Sequence, residues 1–113
     1  MTLRASTVLL PLHLQNEVIH PDGQIRAGFG DDHQCRAVFV DAASKALKAA
    51  SKSGIPSVFV RMAFQVGGTD LPDNCELYRF VKRNEIMREG SWGAEFVDCL
   101  APDRPSDVTV SHN

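Results

Sequence analysis

The residues best equipped for chemistry stand where an apolar run breaks into polar ones: Thr7 to Leu12 leads into His13, Gln15, Asn16 and Glu17. A run of this kind reads as a buried strand, and the carboxyl ends of strands are where open α/β sheets collect their ligands. An imidazole titrates near pH ~6.5, so His13 is available there as a general base. A second histidine, His112, closes the strand-like segment Asp107 to His112. Parallel strands end on one side of their sheet, which places both histidines at one edge. Two imidazoles are also two metal ligands, but the sequence dictates no third, and neither a metal nor another cofactor is expected.

Other side chains offer supporting roles, each with a plainer alternative. Gln15 is a candidate substrate contact, or a clamp on the loop that follows the first strand. Arg61 suits bidentate capture of a substrate carboxylate, or a salt bridge to a loop acid. Phe64 and Trp92 are candidates for the aromatic wall of a pocket, or for packing beneath a loop. His20, before Pro21-Asp22-Gly23, belongs to a surface turn. Cys35, Cys75 and Cys99 form an odd set without C-x-x-C spacing, so reduced thiols are expected rather than a disulfide framework or zinc site. Cys35 lies before a helix, Cys75 in a loop and Cys99 next to Leu100, contexts that do not clearly stabilise a thiolate.

The elements that must position these groups alternate as strand, helix, strand. Asp31 or Asp32 can cap a helix running to about residues 50–53, because Phe39, Ala43, Leu47 and Ala50 repeat at helical spacing. Gly54 followed by Ile55-Pro56 stops it. Ser57 to Phe64 reads as a second buried strand, parallel to the first, completing a βαβ unit. Glycines 67 and 68, Pro72 and Asn74 mark a loop, Glu76 to Met87 a short helix, and Gly93 to Leu100 a helical turn. Asp107 to His112 is a third strand. Pro11 cannot donate to a ladder, so the first strand is interrupted on one side or lies at an edge. Gly23 and the Gly28-Phe29-Gly30 segment form neither G-x-G-x-x-G nor a P-loop, which disfavours a phosphate- or nucleotide-binding role.

The series His13-Leu14-Gln15-Asn16-Glu17 with Pro21-Asp22-Gly23 resembles the first strand of the isochorismatase-like cysteine hydrolases. So do, in order, Ser53-Gly54-Ile55-Pro56 leading into Val58 to Arg61, Gly93-Ala94-Glu95-Phe96, and Asp107 to His112. The resemblance covers nearly the whole chain. It implies a Rossmann-like three-layer α/β/α fold with a parallel sheet, seen as an incomplete, amino-terminal portion forming one domain over residues 1–113. It also implies hydrolysis of a small amide, carbamoyl or enol-ether substrate by an Asp, Lys and Cys triad. His13 occupies the Asp position and His112 the Lys position, so the catalytic residues are altered. None of the three cysteines has the context of the nucleophile, which the family carries in its second half. The alternative is a noncatalytic member that binds a ligand or another subunit.

Composition is compatible with such a domain. A chain of 113 residues buries only about 65% of its unfolded surface, leaving little core to spare. With 12 basic and 14 acidic residues the net charge is -2, which gives no footprint for nucleic acid or an anionic membrane. The stretch Val8 to Leu12 is too short for a spanning helix or signal peptide, and a cytoplasmic protein is expected. Three parallel strands with one strong crossover helix leave an apolar sheet edge to cover. The expected partners are therefore a small-molecule substrate and either further copies of the chain or a complementing polypeptide.

Overall fold

Asp32 does cap the principal helix, its side chain accepting the amide of Cys35 at 2.9 Å. In the computed structural model, which describes residues 7–26 and 29–112, that helix (α2) spans His33–Lys52, after a single turn (α1) at Asn16–Ile19. Lys52 sits in its last turn, where a cation complements the helix dipole, and Gly54 takes the left-handed conformation (φ 70°) that lets the chain turn toward the sheet. Strand β1 is Val58–Met62, helix α3 Glu76–Arg83 and strand β2 Val108–His112. The expected helix to Met87 stops earlier: Asn84 caps α3, and Glu85 and Met87 adopt positive φ. The helical turn expected over Gly93 to Leu100 is two short 3-10 turns, Trp92–Ala94 and Asp98–Leu100. Gly28 lies outside the described residues.

β1 and β2 pair in parallel, with Val58 opposite Val108, Val60 opposite Val110 and Met62 opposite His112. On the other side of β1 the first segment is extended and parallel but only bridged, at Leu9 with Ser57 and Leu12 with Val60. Pro11 accounts for the weak ladder. Leu9 donates to Pro56 at 2.9 Å, Val58 to Leu9 at 2.9 Å, Val60 to Pro11 at 2.9 Å and His13 to Val60 at 2.8 Å, so the missing proline N–H removes one rung between good ones. The spatial order is first segment, β1, β2, and the neighbours are parallel as expected.

One face of this sheet is covered and the other is open. Phe59, 2% exposed, borders the same cleft as Leu47, Lys48 and Ser51 of α2, and it meets Phe96 edge-on with ring centroids 5.6 Å apart. Val8, Leu10 and Leu12 share the opposite face with Val58, Val60, Val108 and Val110; of these, Val8, Leu10, Leu12, Val108 and Val110 are each about half exposed. Two buried clusters hold the rest together: Phe64, Val81, Ile86 and Met87 under α3, and Leu14, Ile19 and Leu100 beneath α2. Phe39, expected on the apolar face of α2, is more than a third exposed and instead rests on Phe29, with centroids 5.6 Å apart.

Candidate active site

The first segment ends on His13 in the left-handed region, at φ 55°, which few side chains other than Gly, Asn and Asp adopt without strain. That backbone turn ends the strand and starts the path into α1. β2 ends on His112, in register with Met62, and its carbonyl accepts the amide of Ala63 at 3.2 Å. The two strand ends bring the rings together: His13 Nε2 lies 2.7 Å from His112 Nε2, with centroids 4.9 Å apart. At that distance one imidazole donates Nε2–H to the lone pair of the other. Burial, and secondarily the charge of His112, holds the pKa of His13 below the ordinary histidine value, which favours its neutral form.

Gln15 is wholly buried, and its amide is engaged by main chain. Its nitrogen donates to Met62 O at 2.7 Å and Ala94 O at 2.8 Å, while its oxygen accepts Met62 N at 2.9 Å. Gln15 therefore ties the first segment, the end of β1 and the Trp92–Ala94 turn into one wall beside the dyad. Asn16 adds a bond from its side chain to Trp92 O at 2.8 Å. Glu17, 6% exposed, accepts the amide of Gln24 at 2.8 Å. Gly93 presses on this carboxylate so closely that a Cβ there would stand 2.0 Å from Glu17 Oε2. Gly23 is equally confined, since its Cβ would stand 2.4 Å from Asn16 O.

The remaining candidates are dispersed. Arg61 bonds Ser111 Oγ at 2.8 Å and pairs with Glu89, a loop acid. Phe64 is 1% exposed, and lies in the core against Tyr78. Trp92 is about half exposed and meets His20 edge-on at 5.0 Å. Two cavities flank α2, and neither is lined by His13 or His112. Cys35, Cys75 and Cys99 are free and exposed, and among the described residues none hydrogen-bonds to the dyad. Among the described residues no group of three His, Cys, Asp or Glu side chains is placed to hold a metal ion, and no helix is long and apolar enough to cross a membrane.

The sequence reading missed Arg36, which is 4% exposed and bonded to His33 and Gly30. Its only signal was position: it stands four residues after the cap Asp32, among apolar residues of α2.

A cysteine hydrolase from Pseudomonas syringae pv. phaseolicola superposes with a TM-score of 0.74 at 23% identity, over 97% of this chain and 46% of that one. N-carbamoylsarcosine amidase from Thermoplasma acidophilum superposes with a TM-score of 0.62 at 21% identity, over 93% of this chain and 50% of that one. The chain thus spans about half the length of these solved structures, and at such identities they show the fold. No curated protein matches. The Isochorismatase domain family model matches residues 7–113, and with its parallel sheet and helices this chain belongs to the isochorismatase family and has that family's hydrolase fold.

Proposed function

We propose that the chain is the base-bearing portion of a hydrolase that acts on a small amide, carbamoyl or enol-ether substrate, with His13 and His112 in the acid–base positions. The observation that carries this reading is the 2.7 Å contact between the two Nε2 atoms at the carboxyl edge of the sheet. Neutral His13 takes the proton of a nucleophilic thiol, and His112, sharing that hydrogen bond, disperses the charge left on the pair. Gln15 holds the wall, and Arg61, Phe64 and Trp92 stand on the elements around it. That none of Cys35, Cys75 and Cys99 hydrogen-bonds to the dyad among the described residues supports a thiol contributed by polypeptide outside these residues, joined to the chain or complementing it. The N-carbamoyl compound named for one structural neighbour indicates a first substrate to assay.

The test is turnover of N-carbamoylsarcosine and simple amides by the protein in its native assembly. His13→Ala should lower turnover roughly 100- to 10,000-fold with the fold intact, the range for a positioned acid or base. Changing Cys35, Cys75 and Cys99 together to Ser should leave it in place. Unchanged turnover in His13→Ala would remove His13 from the chemistry, and no turnover by the unaltered assembly would favour a noncatalytic ligand- or subunit-binding member, a reading supported by the absence of His13 and His112 from the lining of both cavities. Assay of His13→Asp with His112→Lys separates the two further: a gain of amidase activity marks a hydrolase with altered residues, and no gain marks the noncatalytic form.

A further inference from the structure

Arg36 is a buried cation without a carboxylate partner among the described residues. Its guanidinium has five N–H donors; Nη1 bonds His33 Nδ1 at 2.6 Å, Nη2 bonds Gly30 O at 2.9 Å, and Nε is buried with no partner. Phe29 stands 5.6 Å from it, a cation–π contact that leaves the charge itself unanswered. Arg36 lines a cavity of about 530 Å3 at the amino-terminal end of α2, a volume that suits a small ligand. His20 and His33 line the same cavity. His20 Nδ1 accepts the amide of Asp22 at 3.0 Å and His33 Nδ1 accepts Arg36, so each ring keeps its proton on Nε2 as a donor. Ile19, Ala37, Val40 and Val97 give the cavity an apolar body. Its one carboxylate, Asp41, is paired with Lys45 at 2.9 Å.

We infer that this cavity binds a small organic acid, its carboxylate held by Arg36 with the two histidines and its apolar body against Ile19, Val40 and Val97. A bare anion fits less well, because most of the lining is apolar. A neutral analogue forfeits the interaction with the guanidinium. The site shares no residue with the His13–His112 pair, and its existence does not depend on the hydrolase reading.

Titration of the protein with sodium benzoate, benzamide and inorganic phosphate, followed by calorimetry and by heteronuclear NMR shifts, tests the inference. Benzoate should saturate, moving resonances of α2 and of residues 19–21, while benzamide and phosphate should bind weakly or not at all. Arg36→Lys keeps the charge but loses the guanidinium fork, and should weaken benzoate roughly tenfold or more. Ala37→Leu fills the cavity from an exposed helix position, leaves Arg36 in place and should block benzoate while the circular dichroism stays unchanged. His13→Ala should leave benzoate binding intact. Absence of saturation by benzoate, equal binding of benzamide, or unaltered benzoate affinity in either Arg36→Lys or Ala37→Leu would overturn the inference.

Discussion

His13 concentrates three physical demands on one side chain: a left-handed backbone, partial burial, and a ring held 2.7 Å from another imidazole. The first demand bears on the residue type. Asp and Asn tolerate the left-handed region better than His, so His13→Asp should fold without added backbone strain. The second and third act through protons. Because burial and His112 lower its pKa in the folded state, the unfolded chain binds a proton at His13 that the folded chain resists. The stability linked to His13 is therefore complete above about pH 6.5 and is lost as the pH falls toward the lowered folded value. His13→Asn removes this linkage. Urea midpoints measured from pH 7.5 to 5 should fall more steeply for the unaltered chain than for His13→Asn, and parallel slopes would show that the group is not linked to folding. The identity and location of the two histidines were legible in the sequence, since strand ends in a parallel sheet share an edge. Their direct hydrogen bond was not, because it depends on a positive φ that no pattern of side chains announces.

The elements around the dyad are joined by buried polar side chains more than by apolar contact. Gln15 makes three hydrogen bonds that cross from the first segment to β1 and to the Trp92–Ala94 turn. Its removal leaves Met62 N, Met62 O and Ala94 O unsatisfied in the interior. Gln15→Ala should cost about 3 kcal/mol in chemical denaturation, at the upper end for orphaned buried groups. Gln15→Glu should be no better, because a carboxylate oxygen then replaces the amide nitrogen that both carbonyls face; stability within about 0.5 kcal/mol of the parent for either variant would refute this structural role. The order of elements could be read from caps and stops: Asp32 before α2, Gly54 after it, and the apolar segments at β1 and β2. Boundaries in the second half could not. The end of α3 near Arg83 is set by the positive φ of Glu85 and by burial of Met87, tertiary effects that override the helical spacing of Glu76 to Met87.

At the scale of the molecule, the unequal faces of the sheet matter most. α2 covers the face bearing Phe59, while Val8, Leu10, Leu12, Val108 and Val110 are 52%, 52%, 56%, 51% and 47% exposed on the other. Leu9, Pro11 and His13 turn their hydrogen-bonding groups toward β1, and backbone alternation directs those of Leu10 and Leu12 to the outer edge, where a further strand can pair. An apolar face and an open edge on the same side of one strand demand the same kind of cover: a strand along Val8 to Leu12 and a helix laid over Leu10, Val60 and Val110. The solved structures that share this fold are about twice as long, which is room for both. Produced as these 113 residues alone, the chain should therefore associate, and sedimentation should show a weight-average mass that rises with concentration above 12.4 kDa. Replacing Leu10 and Val110 by Glu should shift it toward the monomer, since a charged residue in the centre of an apolar contact opposes burial, while α2 and the core beneath it are untouched. A monomer at every concentration, with Leu10 and Leu12 amides as slow to exchange as those of β1, would mean that the edge is already closed by means other than a partner.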